Sequence, residues 1–310
     1  MKVGLVCMYG LSQSVRSIND AFIRNGDTVE VFTMFPEEIR AQKTEDLVQF
    51  DGDMIFTWQG IGCDPRVIAE KNIPTMIWNF DDPHRIMNKS NLEILLAHDY
   101  ILTCDEGSVD RYAKINKRAI WLPPAADPAY FNTQYDATQA CDISYLGRGY
   151  HKAEFSDMLV DRIRLMDKVY SKPDYNIEIW SHVPDSWDKL SPKVKGALDH
   201  DQAHVKFKNT KINLNAQVSN KSAYKYINER IPMVLAAGGF IMIDTTPGLR
   251  TWLEDGKHVV YYKSISDCLD KIEYYLNHDE ERLKIAAAGH EFIKNNWTYD
   301  HFVKKIRSII

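Results

Sequence analysis

No run of about 18 apolar residues occurs in the chain, so nothing in it reads as a membrane-spanning helix. Cysteine is sparse: Cys7, Cys63, Cys104, Cys141 and Cys268 are odd in number, far apart, and form no C-x-x-C pair. That excludes a disulfide framework and a zinc knuckle, and points to a reducing, cytoplasmic compartment. Internal repeats and low-complexity tracts are missing, and the net charge is only −5, from 38 Lys+Arg and 43 Asp+Glu. Collagen-like, coiled-coil, disordered and small secreted classes drop out. The opening run, residues 1–7, is too short and too soon broken for a secretory leader and reads as a first strand. What the chain does have is 310 residues, 45% hydrophobic and 26% charged. That is enough for two domains, each with a full core.

The charge divides unevenly. Residues 1–138 hold 13 Lys+Arg against 20 Asp+Glu; residues 139–310 hold 25 against 23. The acidic part disfavours a broad nucleic-acid face, and the mildly basic part suits an anionic small molecule such as a nucleoside diphosphate. The basic cluster Arg111, Lys114, Lys117 and Arg118 reads as a solvated helix face.

Strand and helix signals alternate from the start. Strands are expected at 2–8, 28–34, 53–58, 74–80, 100–103 and 120–122, with helices between them, the first stopped by Gly26. This order predicts a parallel sheet covered by helices on both faces. The pattern lapses in the Pro- and Ala-rich stretch 123–141, read as a linker after a first domain of residues 1–122. It restarts over 142–295, with strands at 142–146, 177–180, 212–214, 240–243 and 258–262. Helices are expected at 152–168, 222–237 (interrupted near Pro232), 247–253, 266–276 and 280–295, and a last one over 299–310. The fold class is α/β, two Rossmann-like doubly wound domains. Ligands of such sheets bind outside the carboxyl ends of the strands, and the expected site is a cleft between the two domains.

Tyr9-Gly10-Leu11-Ser12-Gln13-Ser14 joins a strand to a helix and offers N–H groups to an anion. With one glycine and no acidic residue closing the second strand it is not a dinucleotide fingerprint, and Tyr9, Gly10 and Ser12 read as a substrate-lining loop or a plain turn. Trp58 and Gln59 end the third strand and are candidates for shaping the same pocket. Trp78-Asn79-Phe80-Asp81-Asp82-Pro83-His84-Arg85 places two carboxylates, an imidazole and a guanidinium just past a buried strand. A strand-end carboxylate, Asp82 or Asp81, is suited to act as general base toward a hydroxyl, with His84 beside it. Arg85 would hold such a carboxylate ionised or face a leaving phosphate. The competing reading is that Asp82 caps a helix ahead of Pro83. A metal pair lacks a third ligand. In the second domain Gly147-Arg148-Gly149 follows a strand, and its glycines let backbone approach a phosphate that Arg148 would pair. Ser219-Asn220-Lys221-Ser222 leads into Tyr224-Lys225-Tyr226 and Arg230, adding hydroxyls, N–H groups and positive charge.

Leu122-Pro123-Pro124-Ala125-Ala126-Asp127, Asp142-Ile143-Ser144-Tyr145-Leu146-Gly147, Ile212-Asn213-Leu214-Asn215 and Arg230, taken in order, resemble the CgeB-like glycosyltransferases of GT-B fold. So do Ala236-Ala237-Gly238-Gly239-Phe240, Thr246-Pro247-Gly248-Leu249, Asp255-Gly256-Lys257, Ala287-Ala288-Gly289-His290 and Trp297-Thr298-Tyr299. The resemblance spans about residues 120–305. It implies a nucleotide-sugar donor held by the second domain, an acceptor on the first, and a final helix, 296–310, crossing back. It implies that Arg230 contacts the donor diphosphate beside Arg148 and the Gly147 loop, with Lys221, Ser222, Tyr226 and Gly248 completing the donor set. Two positions depart. The family's Glu three residues after this Arg is Met233 here, and its Glu after Gly-Lys is His258. A fainter resemblance links the chain to phage β-glucosyltransferases that act on hydroxymethylcytosine in DNA, where the strand-end Asp is the base.

The expected activity is transfer of a sugar from a nucleotide-diphosphate sugar, a UDP-sugar, to a hydroxyl acceptor: a glycan, a small molecule, a protein or modified DNA. No metal and no cofactor beyond the co-substrate are expected. The alternatives are a phage-type DNA glycosyltransferase and a GT-B protein that binds a nucleotide or glycan without turnover, the latter supported by Met233. A two-domain ligand receptor fits the architecture but lacks an export signal.

Overall fold

The structure, a computed structural model, describes residues 1–10, 14–79, 89–115, 117–154, 158–172, 174–218 and 223–310. The chain divides into two compact units: residues 1–124 with 299–310, and residues 125–298.

Unit 1 runs β1 (Lys2–Cys7), α1 (Ser14–Arg24), β2 (Thr28–Thr33), α2 (Glu37–Gln49), β3 (Met54–Trp58), α3 (Pro65–Ala69), β4 (Thr75–Asn79), α4 (Lys89–Ala97), β5 (Tyr100–Thr103), α5 (Glu106–Ala113) and β6 (Arg118–Trp121). All six strands are parallel, in the order β2-β1-β3-β4-β5-β6. β3 and β4 are buried along their whole length, which is why they read as unbroken apolar runs and not as alternation. The strand order reverses between β1 and β3, so the loops after those two strands flank the switch point.

Unit 2 runs β7 (Cys141–Leu146), α6 (Arg162–Tyr170), β8 (Ile177–Trp180), α7 (His200–Asn209), β9 (Thr210–Asn215), α8 (Arg230–Ala236), β10 (Ile241–Asp244), β11 (Val260–Tyr262), α9 (Ile265–Leu276) and α10 (Asp279–Asn296). Its five parallel strands lie in the order β11-β10-β9-β7-β8, with the switch point between β7 and β9. α11 (Tyr299–Arg307) belongs to unit 1. Phe302 meets Trp78 and Phe56 edge-on with ring centroids 5.2 and 6.1 Å apart, and Arg24 pairs with Asp300 at 3.0 Å.

Four expectations are corrected. The stretch 123–141 is not a free linker. It holds two short 3₁₀ turns, and Ala126 and Tyr130 are buried in the core of unit 2. The helix expected at 152–168 begins only at Arg162, because the Asp161 carboxylate caps it through the Arg164 N–H at 2.8 Å. The helix expected from 222 begins at Arg230. Lys225 takes a left-handed φ of 52° and gives its N–H to Pro247 O at 2.8 Å, and the Asn228 N–H goes to Gln217 Oε1 at 3.3 Å. These N–H groups serve a neighbouring loop, so no helical ladder forms. Pro232 does not interrupt α8: it stands in the first turn, where an N–H has no intrahelical acceptor. α7 and the irregular 3₁₀ stretch Pro184–Lys193 went unforeseen; the latter buries Trp187 edge-on against Tyr145, 5.2 Å between centroids.

Candidate functional site

The carboxyl ends of β7, β9 and β10 carry a polar cluster at the switch point of unit 2. Gly147 follows β7 with φ 139°, a value that only glycine adopts readily, and a β-carbon there would lie 2.4 Å from Arg230 Nη2. The absence of a side chain is therefore what lets the Arg230 guanidinium lie against the backbone. Trp180 O and the Trp187 indole N–H fix this glycine, at 2.9 and 3.0 Å. Gly149, two residues on, donates its N–H to Ser186 Oγ at 3.0 Å, and a β-carbon there would strike Ser186 O.

Arg230 opens α8 and donates to Asn215 Oδ1 at the end of β9; Asn228 donates to the same oxygen at 2.9 Å. Its guanidinium carbon stands 5.1 Å from the Tyr145 ring centroid. Burial pulls the Arg230 pKa down, the positive charge of Arg162 adds to that, and Tyr145 opposes it. Arg162, 6% exposed, donates from Nε to Ala216 O at 2.7 Å and from Nη1 to Arg148 O at 3.1 Å. Its guanidinium lies 6.0 Å from Tyr145 and 5.2 Å from Tyr150. Neither arginine makes an ion pair with a carboxylate among the described residues, whose bridges lie elsewhere. Among the same residues, the Arg230 Nε, Asn215 Nδ2 and Asn228 Oδ1 atoms are buried without a hydrogen-bond partner. Asp244 ends β10 and accepts the Gln217 N–H at 2.7 Å, while the Gln217 amide reaches Thr246 Oγ1 at 2.9 Å. Next to them a cavity of about 540 Å³ is lined by Thr245, Thr246, Gly248, Arg250 and Lys263. The arrangement is an electropositive, partly desolvated pocket with unmade hydrogen bonds, suited to an anion carrying several oxygens.

Residues 162–308 match a family described as glycosyl transferase-like. Spore protein CgeB of Bacillus subtilis (strain 168) is 21% identical over 264 residues, 77% of this chain and 76% of CgeB. Sucrose-phosphate synthase from Thermosynechococcus elongatus superposes with a TM-score of 0.71 at 10% identity, over 100% of this chain and 98% of its own. An alpha-glucosyltransferase in complex with UDP-glucose and abasic-site DNA gives 0.74 at 10% identity, over 100% and 99%. Anabaena Alr3699/HepE in complex with UDP-glucose gives 0.69 at 12%, also over 100% and 99%. The chain has the GT-B fold of these glycosyltransferases, and its residues 162–308 are similar to the glycosyl transferase-like family. The expected α/β class, the return of the final helix and the resemblance to CgeB-like proteins all hold.

Within this fold the residues expected to bind the donor are placed as follows. Gly147 and Arg230 are together. Arg148 gives its carbonyl to Arg162, and its own side chain is exposed. Gly248, φ 77°, packs against Tyr224: a β-carbon there would lie 2.5 Å from the ring. Tyr226 is buried beside Arg230. Lys221 and Ser222 lie outside the described residues. Met233, at the position where the resemblance implies a Glu, is 7% exposed and part of the unit 2 core. His258 accepts the Glu254 N–H on Nδ1 at 3.2 Å and stacks on Phe292, 4.4 Å between centroids; burial lowers its pKa and keeps it neutral. It is a packing residue.

In unit 1, Tyr9 and Gly10 follow β1, and Trp58 and Gln59 close β3, so all four lie at the switch point. Tyr9 is 64% exposed and tilted against Phe35 at 5.5 Å; the Trp58 indole donates to Ser14 Oγ at 3.3 Å. Gln59 is held at φ 59° with its N–H on Trp78 O at 3.1 Å. A cavity of about 700 Å³ near Phe35 is lined by Glu37, Arg40, Gly62 and Asp64. Ser12, Asp81, Asp82, His84 and Arg85 lie outside the described residues. Among the described residues no group of three or more His, Cys, Asp or Glu is placed to hold a metal, and no helix is long and apolar enough to cross a membrane. Sequence reasoning missed Arg162. Its signal was Asp161, a capping residue directly before an amphipathic run.

Proposed function

We propose that the protein transfers a sugar from a nucleoside diphosphate sugar, a UDP-sugar, to a hydroxyl acceptor without a metal ion. The observation that carries this reading is Arg230: a buried guanidinium at the switch point of unit 2, with no ion pair and with Nε unmade among the described residues. A buried charge in that state is stabilised by an anionic ligand, and the leaving diphosphate of a nucleotide sugar is one. The same guanidinium offsets the charge that develops on the leaving group. Arg148, Lys221, Ser222, Tyr226 and Gly248 complete the donor set in this proposal, and Tyr9, Gly10, Ser12, Trp58, Gln59 and Arg85 line the acceptor side. Asp82 takes the acceptor proton if the configuration inverts, with Asp81 and His84 next to it. The relatives in complex with UDP-glucose support the choice of donor.

The test is calorimetric titration with a panel of nucleoside diphosphates beside a turnover assay with their sugars. Arg230→Ala is expected to raise the donor KM and to lower kcat about 10²-fold or more. Unchanged kinetics remove Arg230 from the site. Asp82→Asn is expected to leave donor binding intact and stop transfer; retained turnover points to a retaining reaction or to Asp81.

The burial of Met233 favours one second reading, a protein that binds the nucleotide without turnover. A methionine cannot make the bidentate contact of a carboxylate to a ribose. Binding without transfer to any acceptor tried would support it.

A further inference from the structure

Building on the donor-binding reading above, we infer that Arg162 is a second donor-site cation, whose charge acts on the bound diphosphate together with Arg230. Arg162 opens α6, nine-tenths buried, and clamps the carbonyls of Arg148 and Ala216, the residues that follow β7 and β9. The two guanidiniums stand within about 6 Å of one aromatic ring, Tyr145. The positive charge of Arg162 pulls the Arg230 pKa down, so the two like charges oppose each other in the unliganded protein. The nearest sequence carboxylate does not neutralise Arg162: Asp161 is engaged by the N–H groups of Arg164 and Lys152 and by His151. Asp244 accepts the Gln217 N–H on Oδ1 and forms no ion pair with Arg162 among the described residues. The field at the start of α6 adds to the charge of Arg162 instead of offsetting it. Two carbonyl oxygens need only hydrogen-bond donors, which a neutral amide supplies with no electrostatic penalty. The clamp itself therefore does not require the positive charge of Arg162. The charge acquires a use when a ligand with two negative charges arrives at Gly147 and Arg230, beside the Arg148 carbonyl that Arg162 holds.

Two variants separate charge from clamp. Arg162→Lys and Arg162→Gln both shorten the side chain and both break the paired bonds to Arg148 and Ala216, but only Lys keeps the cation. UDP affinity is measured by calorimetry and thermal stability by scanning fluorimetry for both variants and for the unmodified protein. The expected result is a loss of UDP affinity of at least tenfold for Arg162→Gln, no more than about threefold for Arg162→Lys, and similar melting temperatures for the two. If the two variants fall together, or if Arg162→Gln binds UDP as the unmodified protein does, the inference is overturned while the donor reading stands. If the unmodified protein binds no nucleoside diphosphate, the donor reading fails and this inference with it.

Discussion

Gly147→Ala adds one methyl group where the structure has room for none. The new β-carbon would lie 2.4 Å from Arg230 Nη2, about 1 Å inside ordinary contact distance. Two effects follow, and they are separable. Alanine at φ 139° is strained, which costs about 1–3 kcal/mol of stability whatever its neighbours do. With a loss of about 2–4 °C per kcal/mol for a domain of this size, unit 2 is expected to melt a few degrees lower. The second effect is on binding. The guanidinium is at the far end of a flexible side chain, so it yields, and it leaves its place over Tyr145 and its bond to Asn215. A displacement of about 1 Å of a positioning group is worth on the order of 10²-fold in function. The assay is UDP titration of Gly147→Ala, Arg230→Ala and the double variant. Because the methyl group acts through Arg230, the double variant is expected to bind UDP no worse than Arg230→Ala alone, a strongly non-additive cycle. Additive losses, or full UDP affinity in Gly147→Ala, would refute the claim that this glycine exists to admit Arg230.

Three further outcomes are expected. Phe302→Ala removes the ring that covers Trp78 and Phe56 and should destabilise unit 1 by about 3–5 kcal/mol in urea denaturation; a change below about 1 kcal/mol would place α11 off the core. His98 is fully buried, donates from Nδ1 to Ile94 O and accepts from Thr57 on Nε2, and burial takes its pKa from 6.5 down to about 4. The folded state holds it neutral, so stability is complete above pH 6.5 and falls as the pH drops toward 4, by about 3 kcal/mol in all. Urea midpoints measured across that window check this, and a His98→Asn variant showing the same slope would assign the loss to other groups. All five cysteines are buried, and burial raises the Cys63 thiol to about 12, so no thiol should react with Ellman's reagent until the protein is unfolded.

The βαβ rhythm of the sequence was enough to predict both parallel sheets, since fully buried strands such as β3 and β4 show as short apolar runs bounded by turn residues. Gly147 was legible as a turn after a strand, whereas Arg230 was legible through the family resemblance, since its helix was expected to begin at 222 and in fact begins at Arg230 itself. What failed was decided by distant partners. Residues 223–229 have helical composition, yet their N–H groups answer to Pro247 and Gln217, far along the chain. Arg162 looked like any basic residue on a helix surface. Its burial comes from carbonyls 14 and 54 residues away, and no local pattern encodes that. The stretch after 123 read as a linker because proline and alanine carry no period, whereas its anchor, Ala126 on Trp297 and Thr298, comes from the far end of unit 2.

The split of unit 1 into two pieces of sequence sets an order of maturation. Residues 1–124 leave the ribosome with Trp78 and Phe56 still waiting for Phe302, which follows only after all of unit 2 has been made. At about 5–20 residues per second that interval is roughly 9–35 s. Unit 2, an unbroken stretch with its core complete in itself, is free to fold within it. The part synthesised first is thus finished last. During that wait its exposed apolar face is the part of the nascent protein most open to aggregation and to chaperone capture, and premature termination anywhere before residue 302 leaves it permanently uncovered.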